Sequence, residues 1–266
     1  MYRPFYGLKR LPFSREVAPD DIFGSPELDE LHTRLLYLVD TKGIGLLLGE
    51  PGAGKSTALR RLRAALHPDQ VRPVYLFDTA ANARDFFRHI ALELGIEPQW
   101  SRSMNLRAIQ AEIVRLVTER KLKVMLVIDE AHRLRPDVLL DLAILCNFEW
   151  DSANRLTMIL AGQSALRSTL RLATLEAITQ RITLRYTLRG FDRDTCRLYL
   201  EHRLTSAGCD RPVFSQPAIE SIYNATGGVM RRIDAIAHHA LAAAAIQKDT
   251  IVDIEHIQRA AEEIRP

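Results

Sequence analysis

Lysine is scarce in this chain: only six of the 36 basic residues are lysines, at positions 9, 42, 55, 121, 123 and 248, and the rest are arginines. Arginine forks match phosphate and carboxylate geometry, so the bias suits phosphate or nucleic-acid contact. A GC-rich genome that writes arginine for lysine accounts for it equally well. Cysteine is scarcer still. Cys146, Cys196 and Cys209 make an odd count without C-x-x-C spacing, which excludes a disulfide framework and a thiolate zinc site and points to a reducing compartment, the cytoplasm. Long apolar runs are missing too: nothing approaches the roughly 18 residues that span a bilayer. The first residues, with Arg3, Pro4, Lys9 and Arg10, lack the apolar centre of a signal peptide. No membrane insertion is expected. Neither a helix-turn-helix nor a zinc finger is legible, so any DNA contact is expected to be largely independent of base sequence.

What is present is a soluble composition, 47% hydrophobic and 26% charged over 266 residues with a formal charge of +3, long enough for two packed units. One stretch dominates. Gly49-Glu50-Pro51-Gly52-Ala53-Gly54-Lys55-Ser56-Thr57 fits G-x-x-x-x-G-K-[ST], between the apolar run 44–48 and a helical run 58–66. Its glycines allow backbone N–H groups to turn onto phosphate oxygens, Lys55 adds a point charge at the β and γ phosphates, and the Ser56 hydroxyl can ligate Mg²⁺. ATP and Mg²⁺ are therefore the expected ligands.

Ahead of that loop, Tyr2, Phe5, Tyr6, Leu8 and Phe13 lie among Pro4, Gly7 and Pro12. They read as an irregular arm that either covers the sheet or brings Tyr6 or Phe13 onto the adenine base. Ser25-Pro26-Glu27 then opens a helix, with Leu28, Leu31, Leu35, Leu38 and Val39 on one face. Beyond the loop, Val74–Phe77 reads as a strand ended by Asp78-Thr79-Ala80, and a helix spans 83–94, stopped by Gly95 and Pro98. After a polar connection through Trp100-Ser101-Arg102-Ser103, Asn105 is expected to cap a helix to about Arg120.

Lys123–Ile128 is apolar enough for a strand buried on both faces, and Asp129 and Glu130 leave its C-terminal end, where ligands bind in open α/β sheets. Asp129 is expected to hold the Mg²⁺ shell, and Glu130 to polarise the attacking water. A second buried strand, 156–160, leads to Gly162-Gln163, whose amide can reach that water. Thr179-Gln180-Arg181 ends a helix before the strand 182–188, and Thr226–Ile233 opens a helix with paired arginines. From residue 190 the pattern is helical: an amphipathic helix over 192–207 with Leu198, Leu200 and Leu204, a helix capped by Ser215, an alanine-rich helix over 231–247, and a last helix from Asp253 to Arg265.

Together these motifs resemble AAA+ ATPases. Phe5-Tyr6-Gly7-Leu8 with Pro12-Phe13 is similar to the ExeA-type branch, which includes secretion-pathway component A ATPases and the transposon-encoded ATP-binding helper proteins. The resemblance implies an α/β P-loop fold, a parallel sheet between helices followed by a small helical lid, divided as 1–43 (arm and helix packed on the core), 44–189 (ATPase core) and 190–266 (lid). It implies Lys55, Asp129, Glu130, Gln163 and Arg181 as catalytic residues, Gln163 as sensor 1, Arg181 as the arginine finger with Arg185 as rival, and Arg231 as sensor 2 with Arg232 as alternative. Met230 departs from the proline that the branch commonly has there.

The chain stops at Pro266 without the membrane helix of a secretion-type protein, which favours the transposition helper: an ATPase that oligomerises on duplex DNA as a ring or helical filament, selects a target and recruits or activates a transposase. Arg84, Arg88, Arg102, Ser103 and Arg107 are the candidate DNA contacts. A secretion-complex ATPase and a nucleotide-dependent scaffold with negligible hydrolysis are the alternatives.

Overall fold

The computed structural model describes residues 2–14, 16–77, 79, 82–149 and 152–264. Asp78 and Ala80 of the expected turn, the Arg265 end of the last helix and Pro266 lie outside the described residues. In chain order the elements are α1 (Arg3–Tyr6), α2 (Pro26–Thr41), β1 (Gly43–Gly49), α3 (Lys55–Ala65), β2 (Val71–Leu76), α4 (Ala83–Leu94), α5 (Arg102–Thr118), β3 (Lys123–Ile128), α6 (Pro136–Leu145), β4 (Leu156–Gly162), α7 (Ala165–Leu170), α8 (Glu176–Gln180), β5 (Ile182–Leu188), α9 (Arg193–Ser206), α10 (Gln216–Thr226), α11 (Met230–Gln247) and α12 (Ile254–Ile264). The chain divides into a sheet unit, residues 27–50 and 55–188, and a helical unit, residues 1–26, 51–54 and 189–266.

In the sheet unit the strands pair in parallel in the order β2-β3-β4-β1-β5. The three central strands are the continuous apolar runs: β3 and β4 are buried along nearly their whole length, as is β1, which is what helices on both faces of a parallel sheet require. The edge strands β2 and β5 leave many positions exposed or partly exposed, β5 being buried only at its two ends. Register brings the C-terminal ends of the central strands level, with Leu48 opposite Gly162 and Ile128 opposite Leu160. The phosphate loop, Asp129-Glu130 and Gln163 therefore leave the sheet at one end, the usual ligand end of such sheets.

Helix α2 buries the whole expected stripe, Leu28, Leu31, Leu35, Leu38 and Val39. Helix α4 runs from an Asn82 cap to Gly95 in the left-handed region, where a residue without Cβ ends a helix cheaply. Helix α5 corrects the sequence reading. Its cap is Ser101, which accepts from Met104 N, whereas Asn105 is buried within the helix and pairs twice with the Gln99 backbone. Both side chains suit a cap; Asn105 is drawn inward because its amide satisfies a donor and an acceptor of the preceding turn.

The helical unit holds the second correction. Residues 1–26, expected on the ATPase core, cluster with the C-terminal helices. Tyr2 hydrogen-bonds His238 at 2.9 Å, Tyr6 donates to the Asp249 carbonyl, and the buried Arg203 guanidinium donates to the Pro12 and Ser14 carbonyls. Phe13 packs edge-on against Phe214, and Phe23 against Phe191 and Tyr199. Tyr6 and Phe13 are buried among these groups, so neither is presented to a base. Leu198, expected inside, is 47% exposed, while Leu200 and Leu204 are buried. Ala240, Ala243 and Ala244 are buried on α11, where small side chains allow α12 and α10 to approach closely. A turn holds Gly228 at φ 74° against Phe191, whose carbonyl would lie 2.0 Å from a Cβ there; only glycine fits.

Candidate functional site

Within the sheet unit, Lys55 opens α3 and is buried, its ammonium donating to the Gly49 carbonyl at 2.7 Å and the Glu50 carbonyl at 3.2 Å. Ser56 Oγ donates to Asp129 Oδ2 at 3.2 Å. This brings together the two residues expected at Mg²⁺. A hydroxyl and a carboxylate are hard oxygen donors, and among the described residues no group of three or more His, Cys, Asp or Glu side chains could hold a metal by itself. That donor set suits a cation that keeps most of its waters and phosphate ligands, as Mg²⁺ does.

Glu130 sits one residue past Asp129 in the left-handed region, φ 53°, an uncommon conformation for a residue with a Cβ. Three bonds hold the turn: Glu130 N donates to Asp129 Oδ1 at 2.9 Å, and the Glu130 carbonyl accepts from the Thr79 hydroxyl at 3.0 Å and from Arg133 N at 2.9 Å. The Glu130 side chain stays 44% exposed, with His132 Nε2 3.8 Å from Oε2, and is thus available to a water. Gln163 follows β4 and is partly buried. Glu50 of the loop accepts from Ser164 at 3.3 Å, joining the ends of β1 and β4.

Residues Pro51–Gly54 cluster with the helical unit. There Arg231 N donates to the Gly52 carbonyl at 3.2 Å, and a Cβ on Gly52 would come within 2.5 Å of the Arg231 Cβ. The residue against the loop is therefore Arg231 rather than Arg232. Met230 lies with its methyl 3.2 Å from where a Gly54 Cβ would be.

The arginines expected elsewhere have varied surroundings. Arg181 is half-buried and donates to the Ala143 carbonyl at 2.6 Å, at the end of α6. Arg185 is exposed and donates to the Thr179 and Ile182 carbonyls. Of the DNA candidates, Arg84, Arg88, Ser103 and Arg107 are exposed on α4 and α5. Arg102 is paired at 2.8 Å with Asp141, whose side chain is 4% exposed. A buried carboxylate calls for a counter-charge, and burial raises the Asp141 pKa; Arg102, its side chain 49% exposed, supplies that charge.

Two contributors escape the motif reading, Thr79 and Tyr75. The Tyr75 hydroxyl donates to Asp129 Oδ2 at 2.8 Å. Their only signal is the β2–β3 register, in which Tyr75 lies opposite Val127, and register is not legible in a single strand.

Comparison with known proteins agrees with this geometry. Residues 39–170 match the AAA domain family. The chain is 34% identical over 247 residues to the general secretion pathway protein A of Aeromonas hydrophila, covering 92% of this chain and 45% of that protein; it thus spans under half the length of this relative. Among solved structures it is similar in fold to Cdc6p from Pyrobaculum aerophilum, with a TM-score of 0.74, 23% identity, and coverage of 95% of this chain and 70% of the other. It is similar also to the Aeropyrum pernix Orc1 protein in complex with DNA, with a TM-score of 0.69, 19% identity, and coverage of 96% and 69%.

Proposed function

From the AAA+ P-loop fold and the match of residues 39–170 to the AAA domain family, we propose that this chain is an ATPase that binds Mg·ATP at the loop and uses hydrolysis to govern its assembly on duplex DNA, as a regulator of transposition. The observation that carries the nucleotide part is the Ser56–Asp129 hydrogen bond beside the buried Lys55. Lys55 and the loop N–H groups bind and orient the phosphates, and Arg231 reports on the γ-phosphate from its place beside Gly52. Ser56 and Asp129 would hold Mg²⁺, which when bound would supply charge neutralisation to the phosphates. Glu130 accepts a proton from the attacking water and Gln163 orients it. Arg181 serves the nucleotide of a neighbouring copy, which requires it to leave the Ala143 carbonyl.

Duplex DNA as partner is supported by the exposed Arg84, Arg88 and Arg107 and by the likeness to a protein solved in complex with DNA. A transposase-type protein is the proposed recipient of the signal, in the cytoplasm, with a ring or helical filament as the active form. Among the described residues no helix is long and apolar enough to cross a membrane. A second reading, an ATPase that energises assembly of a secretion complex, is favoured by the likeness to secretion pathway protein A.

One experiment separates the two. If the DNA reading holds, ATP and not ADP promotes binding to duplex DNA, affinity falls steeply between about 50 and 200 mM salt, and duplex stimulates ATP turnover. Absence of ATP-dependent DNA binding at 50 mM salt would end that reading in favour of the secretion role.

A further inference from the structure

The Asp129 carboxylate carries one more hydrogen bond than the loop motif calls for. Its Oδ1 accepts from Glu130 N at 2.9 Å, and its Oδ2 accepts both from Ser56 Oγ at 3.2 Å and from the Tyr75 phenol at 2.8 Å. An ionised carboxylate offers about four acceptor positions. With these donors in place, about one remains for a water of the cation, and its direction is set.

Tyr75 reaches Asp129 from outside the motif. It stands on the edge strand β2 in register with Val127, two residues before the carboxylate, and its ring is 46% exposed. The edge position matters, because a phenol at the margin of the sheet reaches across to the residue that follows its neighbour strand without displacing core.

We propose that Tyr75 is a positioning residue of the divalent-cation site, whose hydroxyl fixes the Asp129 carboxylate in the orientation that faces Ser56 and so sets the affinity for Mg²⁺. The inference rests on the reading that Ser56 and Asp129 hold the cation. Released from Tyr75, the carboxylate recovers its rotational freedom. Loss of an outer hydrogen-bond partner that orients a ligand generally weakens a metal site.

The test is titration of a fluorescent ATP analogue with MgCl₂ on the full chain, together with binding of the analogue in EDTA. For Tyr75→Phe the Mg²⁺ concentration at half-saturation is expected to rise about 10-fold, with binding in EDTA unchanged. Paramagnetic Mn²⁺ in the presence of ATP should show the same weakening by electron spin resonance. A half-saturation within twofold of wild type overturns the proposal. Should Tyr75→Phe lose binding in EDTA as well, Tyr75→His, which keeps a ring donor on the strand, decides. Restored wild-type Mg²⁺ dependence supports the proposal, and its failure overturns it. If the wild-type protein itself binds the analogue equally with and without Mg²⁺, the cation reading fails and the proposal with it, whereas an unaltered Tyr75→Phe on a Mg²⁺-dependent wild type removes Tyr75 alone.

Discussion

Glu130 combines an unusual backbone conformation with an exposed carboxylate. At φ 53° its backbone is one that a β-carbon disfavours, and the Thr79 hydroxyl on its carbonyl and the Asp129 oxygen on its N–H pin the turn. Conformational strain of about 1–3 kcal/mol kept at a site in this way is common where a side chain must be aimed. Replacing Glu130 by glutamine keeps shape and hydrogen bonding but removes the base. ATP turnover is expected to fall by about 10²- to 10⁴-fold while ATP binding stays within twofold, read by steady-state phosphate release and equilibrium binding. A scaffold with negligible hydrolysis would show no such separation. At this scale the motif already named the residue, because loop and strand end carry their own spacing; the αL turn and its Thr79 partner needed coordinates.

At the scale of elements, the N-terminal arm behaves as part of the helical unit. Tyr2 and Tyr6 are buried there, their hydroxyls bonded to His238 and to the Asp249 carbonyl, and burial pushes both up to about 12. For an acid whose folded pKa is raised, the stabilisation is complete below the unfolded value near 10 and is lost as pH rises toward the folded value. The protein is therefore expected to lose stability between about pH 10 and pH 12. Urea melts across this range should show it, and Tyr2→Phe and Tyr6→Phe should flatten the dependence. Equal slopes in wild type and variants would remove these tyrosines as its source. Aromatic clustering in the sequence showed that the arm must dock. It was silent on which surface receives it, since the receiving residues, His238, Phe214 and Arg203, lie far along the chain.

At the scale of the whole molecule, the proposed cycle requires a second copy. Arg181 donates to Ala143 within its own subunit, and an arginine finger acts on a neighbour's nucleotide only after such a bond is exchanged. If Arg181 acts in trans, Arg181→Ala and Lys55→Ala are each inactive, and mixing them restores up to about a quarter of the turnover expected for the same number of sites, since one subunit supplies the finger and the other the intact loop. Turnover that stays at background at every mixing ratio would exclude a shared site through Arg181; Arg185→Ala in the same assay tests the exposed rival. Electron microscopy of the protein with ATP and duplex DNA reads ring or filament directly.

The amino-acid sequence alone determined the phosphate loop, the buried strands that flank it, the carboxylates at the end of β3 and the helical character of the last third. Each is written in residues adjacent along the chain, where spacing and hydrophobic run length are direct consequences of backbone geometry. Only the tertiary structure decided that Arg231 rather than Arg232 meets Gly52, that Arg102 neutralises buried Asp141, that Tyr6 and Phe13 are consumed by the helical unit, and that Tyr75, 54 residues before Asp129, holds its carboxylate. Those outcomes depend on strand register and on which side chain meets a distant, desolvated partner, and neither is encoded in the local pattern of the chain.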